Sequence, residues 1–125
     1  MKYRLMDLLA CPICKNFRLD LIVFEEKPLS GKFKWSRCEE YCGLVRKKIE
    51  EIEEFKCEEC FKKEVKEGIL ICSKCNRWYP IIDDIPHMLP DELRDKDEDL
   101  AFLKKYREKI PEKILKEGKP FNLSR

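Results

Sequence analysis

The chain has 125 residues, which is enough for one small domain or for one domain with an appendage. Charged residues make up 42% of it, but 27 Lys and Arg against 25 Asp and Glu leave a net charge of only +2. Proteins that bind nucleic acid nonspecifically usually show a large positive excess, so this balance argues against that class.

The composition also bears on source and cell compartment. Gln and Thr are absent and Asn is scarce, while Lys and Glu are abundant, which is typical of hyperthermophile proteins. No apolar run is long enough to span a bilayer, and no charged-then-apolar leader follows Met1. We therefore expect a cytoplasmic protein that does not enter a membrane.

The first predicted elements are a short helix and a strand. Residues 4–9 have the spacing of a helix, with Leu8 on its apolar side. The alternation in "FRLDLIVFEE" predicts a strand over 17–26 whose apolar residues, from Phe17 to Val23, share one face.

Further elements follow in the middle and at the C-terminal end. An apolar stripe among charges predicts a helix over 44–55. "GILIC" at 68–72 and "WYPII" at 78–82 predict short strands. A charged helix over 91–110 is ended by Pro111, and a polar tail follows.

All eight cysteines occur in close pairs, and the outer pairs lie in "CPIC" and "CSKC". Two C-x-x-C turns brought together by strands supply the tetrahedral sulfur cage that zinc prefers, and this spacing favours zinc over disulfides. A redox-active dithiol would need an exposed thiolate at a helix start, usually in a βαβ setting. Asn76, after the second turn, tolerates the left-handed conformation needed to leave it. The predicted ligands of one structural zinc are Cys11, Cys14, Cys72 and Cys75.

The inner pairs, Cys38/Cys42 and Cys57/Cys60, lie in "CEEYC" and "CEEC". Two pairs with these spacings suit a second four-sulfur metal site. They suit equally well disulfides that staple a thermophilic insertion, because hyperthermophiles tolerate intracellular disulfides. The sequence leaves both alternatives open.

Catalytic patterns are missing from the chain. His87 is the one histidine, and it has neither a nucleophile elbow nor an H-E-x-x-H partner pattern. No glycine-rich phosphate loop is present. A zinc with four cysteine ligands has no open coordination position from which to activate water. We therefore expect no enzyme activity, and His87 is interpreted as an interface or packing residue.

The segment "RWYPIIDDIPHMLP" that follows the second cysteine turn is unusually apolar. Trp78 and Ile81 are natural core residues of a small ribbon, whereas Pro80 cannot donate to a sheet and places its strand at an edge or limits pairing there. Extended apolar segments with unused backbone groups pair readily with another chain. We therefore predict that apolar residues of this segment bind a partner: Ile82, Ile85, Met88 and Leu89.

Two stretches, "MKYRLMDLLACPIC" and "GILICSKCNRWYPIIDDIPHMLP", resemble the small zinc-ribbon activating subunit of class I methyltransferases, a family named for tRNA methylation. The resemblance covers residues 1–26 and 67–94, and the combination of cysteine turn, aromatic pair and "IP-x-MLP" carries it. The composition indicates an archaeal-type member of that family.

The resemblance implies a fold and a division into domains. The fold class is small α+β, a zinc ribbon with a short antiparallel sheet and two cysteine knuckles, plus a helical insertion and a C-terminal helix. Residues 1–26 and 67–94 would form the methyltransferase-binding ribbon. Residues 27–66 would be the helical insertion with four extra cysteines, and 95–125 the charged C-terminal helix and tail.

The resemblance also implies a function. A member of this family is a non-catalytic subunit that forms heterodimers with S-adenosylmethionine-dependent methyltransferases of tRNA, rRNA or translation release factors. It covers an apolar patch of the enzyme, adds a strand to its sheet and helps it hold the methyl donor; RNA would be contacted through the partner complex. Carried over to this chain, zinc falls on the outer cysteines and the partner surface on Ile82, Ile85, Pro86, His87, Met88 and Leu89.

Two other functions compete with this interpretation. One is a stand-alone zinc ribbon that binds nucleic acid in transcription or translation, which needs a basic face with aromatic residues. The chain offers a small face of this kind, for which a solvated loop is the simpler account: Lys32, Lys34, Trp35 and Arg37. The other is a thiol oxidoreductase, for which the sequence shows no helix-start thiolate.

Overall fold

The computed structural model describes residues 1–29, 38–54 and 56–124. These residues contain six strands and three short α-helices. The strands are β1 Asp20–Pro28, β2 Tyr41–Cys42, β3 Lys47–Lys48, β4 Lys63–Ile71, β5 Trp78–Ile82 and β6 Ile85–Pro86. The helices are α1 Cys57–Phe61, α2 Lys96–Lys105 and α3 Glu112–Glu117, and short 3-10 helices occupy Tyr3–Asp7, Ile49–Glu51 and Asp91–Leu93.

The largest element is a four-stranded antiparallel sheet in the order β1-β4-β5-β6. Aliphatic and aromatic residues, which pack well on a pleated surface, occupy the centre of this sheet, at 21–23 in β1, 69–71 in β4 and 78–79 in β5. β2 and β3 form a separate two-stranded sheet. This arrangement confirms the predicted small α+β fold with a short antiparallel sheet.

The four-stranded sheet is covered on both faces. One face packs on the N-terminal 3-10 helix and the cysteine turns, in a core that includes Met6, Leu21, Leu70 and Tyr79. The opposite face packs on the C-terminal helices, in a second core. Its fully or nearly fully buried members are Ile69, Ile71, Trp78, Phe102, Leu103, Ile110 and Ile114. The C-terminal region is therefore part of the folded domain.

Capping residues determine where the C-terminal helices begin. The Asp95 side chain accepts a hydrogen bond from the Glu98 N–H at 3.0 Å, which caps α2 and fixes its start. The predicted single helix over 91–110 is wrong, because α2 ends at Lys105 and a second helix follows. Pro111 stands at the N-cap of that second helix, α3, so it begins a helix and does not end one.

The helix predicted over 44–55 is also wrong for the part that the structure describes. Residues 41–48 form the β2–β3 hairpin, and Arg46 has a positive φ of 58°, which a helix cannot accommodate. The apolar residues of this segment have helical spacing, but the strand pairing and the Asp7 hydrogen bonds of the hairpin override that local preference. Only α1, with 5 residues, is α-helical within the described part of 27–66.

At the N-terminus, the predicted helix over 4–9 is a 3-10 helix, Tyr3–Asp7, whose buried residues are Tyr3 and Met6. Leu8 was predicted to face inward, but it is 69% exposed because the helix ends before it. No helix among the described residues is long and apolar enough to cross a membrane.

Candidate functional site

The four outer cysteines meet at one place. The sulfur atoms of Cys11, Cys14, Cys72 and Cys75 all lie within 4.8 Å of one another. Cys11 Sγ is 3.7 Å from Cys75 Sγ, and Cys14 Sγ is 3.5 Å from Cys72 Sγ. The structure thus brings together all four residues predicted from the spacing of the outer pairs.

The two cysteine turns share one backbone geometry. In the first turn, the Lys15 N–H donates to the Cys11 carbonyl at 2.9 Å; in the second, the Asn76 N–H donates to the Cys72 carbonyl at the same distance. Lys15 and Asn76 both have positive φ angles, 64° and 62°. The left-handed residue after "CSKC" was predicted from Asn76, whereas Lys15 carries no such sequence signal.

The sulfur cage is held by neighbouring polar groups. Although burial opposes it, hydrogen bonds from the Cys14 and Ile13 backbone and the Tyr79 hydroxyl lower the pKa of Cys11 to about 6. The Tyr79 oxygen lies 3.2 Å from Cys11 Sγ, and burial raises the pKa of this phenol, so Tyr79 donates to the sulfur. On the other side, Asn16 Nδ2 lies 3.8 Å from Cys72 Sγ.

The thiols are unequal before a metal binds. Burial raises the pKa of Cys72 to about 12, whereas that of Cys11 is low. Metal ligation requires the thiolate, so binding at this site releases protons and strengthens as pH rises.

The donor set fits a thiophilic metal ion. A tetrahedral ion with sulfur ligands at about 2.3 Å places the sulfurs about 3.8 Å apart. The two shortest separations between turns, 3.5 and 3.7 Å, are close to this spacing. Four sulfur ligands saturate such an ion, so the site can stabilise structure but offers no open position to a substrate.

The inner cysteines are arranged differently. All four thiols are free, and Cys60 is buried. Among the residues that the structure describes, the cluster with sulfurs inside 4.8 Å is the outer one, and the inner four do not form a second.

A tight hairpin carries the predicted partner residues. β5 and β6 are joined by Asp83 and Asp84, which have φ angles of 49° and 63°. Two consecutive left-handed residues are the geometry of a two-residue hairpin. Ile82 and Ile85 are directly paired across it, so both isoleucine side chains stand on one face.

The apolar segment after "CSKC" divides into a buried and an exposed part. Trp78 and Ile81 are fully buried, as expected for core residues of the ribbon. Ile85 is 58% exposed and is one of several exposed large apolar residues in this part of the chain. These residues are Ile82, Ile85, Leu89 and Leu93.

Of the two alternatives predicted for Pro80, the one that places its strand at an edge is wrong. β5 lies between β4 and β6, and Pro80 sits opposite Ile69 in β4. The proline is tolerated because its carbonyl still accepts from the His87 N–H at 2.9 Å, while no N–H is required of it. The edge strand on this side of the sheet is β6, which contains Pro86.

The structure places several residues that sequence reasoning missed. Arg94 and Asp99 form an ion pair at 2.8 Å, and both are buried. The Arg94 guanidinium also donates to the Trp78 carbonyl at 2.7 Å and lies 4.6 Å above the Trp78 ring centre. No spacing rule links these residues, because three separate elements bring them together.

Some predicted residues cannot be placed. The basic cluster of Lys32, Lys34, Trp35 and Arg37 lies outside the described residues. His87 is half-buried beside the hairpin.

The fold and the cage define a class: a small α+β protein of zinc-ribbon type, with a closed four-cysteine site and an apolar sheet edge. The chain belongs to the Trm112p-like protein family, whose family model matches residues 2–84. Members of this family are non-catalytic subunits that activate methyltransferases. Comparisons with curated proteins and with solved structures found no significant match.

Proposed function

We propose that this chain is the activating subunit of class I, S-adenosylmethionine-dependent methyltransferases that modify tRNA, rRNA or a translation release factor. It acts as one half of a heterodimer, and the donor site and the chemistry belong to the partner. The observation that carries this proposal is the exposed apolar edge at β6, in a chain whose outer cysteines form a closed four-sulfur cluster.

The hairpin supplies the apolar part of the contact. Ile82 and Ile85 stand side by side on one face, and Leu89 extends this exposed surface. Covering such side chains contributes roughly 1.5–3 kcal/mol for each one that becomes fully buried. Pro86, His87 and Met88 complete the contact surface, although Met88 already packs partly against the chain's own core.

The backbone of β6 supplies the hydrogen-bonding part of the contact. The His87 N–H points inward to Pro80, so the Pro86 carbonyl on the alternate side faces away from β5. Proline has no N–H, so this position offers only an acceptor. A partner strand that pairs here needs a donor opposite Pro86.

Zinc is the proposed occupant of the outer cage, because four thiolates in a closed tetrahedral set are a common structural zinc site. Cys11, Cys14, Cys72 and Cys75 would hold it, and the ion would supply folding free energy and no catalysis. Its role is to fix the end of β4 and the start of β5, and through them the hairpin.

Co-expression with each class I methyltransferase of the same organism tests the proposal. We expect at least one enzyme to become soluble, to co-purify in a one-to-one ratio and to bind S-adenosylmethionine more tightly than alone. Recovery of RNA without any methyltransferase from cell extract, together with no effect on enzyme solubility, would contradict it and favour the stand-alone nucleic-acid-binding alternative.

A further inference from the structure

The two inner cysteine pairs are seated on the same short element. β2, which contains Cys42, packs on the 3-10 helix Tyr3–Asp7, and α1, which contains Cys57 and Cys60, packs on it too. A side chain at Gly43 would collide with the Tyr3 carbonyl and with Met6, so this loop lies directly against the helix. Pairs from two distant parts of the sequence thus meet around one support.

The loop between Cys38 and Cys42 has a fixed backbone. The Asp7 carboxylate accepts hydrogen bonds from the N–H groups of Glu39, Glu40 and Tyr41 at 2.9, 2.7 and 2.8 Å. Three donors on one carboxylate hold the loop in a turn, so its two cysteines are carried by an ordered unit.

The second pair lies on α1, which packs on the same 3-10 helix. Cys57 and Cys60 lie in α1, three residues apart and therefore on one helix face. Cys60 is buried in the same core cluster as Met6 and Tyr41. The Arg4 guanidinium lies 5.4 Å from the centre of the Phe61 ring, which ties α1 to the 3-10 helix.

Each of the two units thus carries two thiols beside the same 3-10 helix, Cys38 and Cys42 from the turn that Asp7 holds and Cys57 and Cys60 from α1. Four cysteine thiols on two ordered units are a donor set that suits a thiophilic divalent cation.

We infer that Cys38, Cys42, Cys57 and Cys60 form a second metal site, which takes a thiophilic divalent cation such as zinc. The sulfurs do not yet lie as close together as those of the outer cage, so the cation draws the two ordered pairs together beside the N-terminal 3-10 helix. The bound ion joins the 38–48 hairpin to α1 and stabilises the insertion. This inference does not depend on the proposed function.

Counting the metal ions bound per chain tests this inference directly. The protein is purified without oxygen under reductant and loaded with excess Zn²⁺; unbound metal is then removed, and metal and free thiols are counted per chain. We expect two zinc ions per chain. One zinc per chain would overturn the inference, whether the inner thiols are then free or paired as disulfides.

Variants assign the second ion to its ligands. Cys38→Ser/Cys42→Ser should bind one zinc, and retention of two would overturn the assignment. The matched control, Ser73→Ala, alters the outer turn without removing a thiol and should keep two. If the double variant does not fold, alkylation of the wild-type protein gives the same information: Zn²⁺ should protect all eight cysteines, and rapid labelling of the inner four would contradict the site.

Discussion

The two sets of four cysteines differ in how the fold positions them. In the outer set, one pair lies just after β4 and just before β5, and both turns have the same hydrogen-bonding pattern. In the inner set, one pair spans a turn and the two-residue strand β2, and the other lies in a helix of 5 residues; both units pack on the N-terminal 3-10 helix. The outer sulfurs converge within 4.8 Å, and the inner ones do not.

This difference teaches how sheet structure prepares a metal site. Paired strands determine register over several residues, so the turns at their ends are held within a narrow range of positions. Short elements on a shared support leave more freedom, and the ligand itself must complete the geometry. The outer site therefore belongs to the main core, whereas the inner site would stabilise a local unit.

The largest expected effect comes from removing an outer ligand. Cys72→Ser should abolish the cooperative unfolding transition, because a structural zinc contributes on the order of 10 kcal/mol, comparable with the whole stability of a small domain. Circular dichroism during heating measures this. Cys42→Ser is the matched control and should still unfold cooperatively. Similar melting curves for both variants would contradict the claim that the outer set contributes more to stability than the inner set.

The next largest effect concerns the face of the sheet that carries neither cysteine set. Asp99→Ala leaves the buried Arg94 without its counter-charge, which should lower the free energy of unfolding by about 3–5 kcal/mol. Denaturant unfolding measures the loss, and metal content at low denaturant should not change. Asp97→Ala, at an exposed position of the same helix, should change stability by less than about 0.5 kcal/mol. Equal losses of unfolding free energy in the two variants would show that the buried ion pair does not contribute to stability.

A smaller effect separates the two sites by their surroundings. Tyr79→Phe removes the donor to Cys11 and should weaken the outer site about 10- to 100-fold without affecting the inner one. Chelator competition that resolves two classes of bound zinc measures this. Tyr106→Phe, whose ring stacks on Phe24 at 4.3 Å, is the control and should leave both affinities unchanged. Weakening of both sites by Tyr79→Phe would contradict the separation.

The sequence predicts some of these features well and others not at all. The outer cage follows from spacing, because two C-x-x-C turns next to strands have one common solution. An exposed apolar part of the segment after "CSKC" follows from its excess of apolar residues over what a small ribbon can bury. The helix over 44–55 could not be excluded from its periodicity, since the hairpin there depends on Asp7, more than thirty residues earlier. The Arg94–Asp99 pair and Tyr79's contact with sulfur likewise depend on tertiary packing.

The smallest expected effect on stability accompanies the largest effect on function. Ile85 is exposed at the edge strand, so Ile85→Asp should leave the unfolding transition and the metal content unchanged within about 0.5 kcal/mol. It should nevertheless prevent binding, because the complex would bury an unpaired charge. Ile85 is a cleaner position for this substitution than Met88, which packs partly against the core.

The most direct test of the account is therefore co-purification of the partner methyltransferase with Ile85→Asp and with Phe17→Asp. Phe17 is also exposed and apolar, but it lies just before β1, the strand at the opposite edge of the sheet. We predict that Phe17→Asp retains the enzyme at the wild-type ratio and that Ile85→Asp loses it while remaining folded and metal-loaded. Undiminished capture of the enzyme by folded Ile85→Asp would contradict the assignment of the β6 edge as the methyltransferase-binding surface.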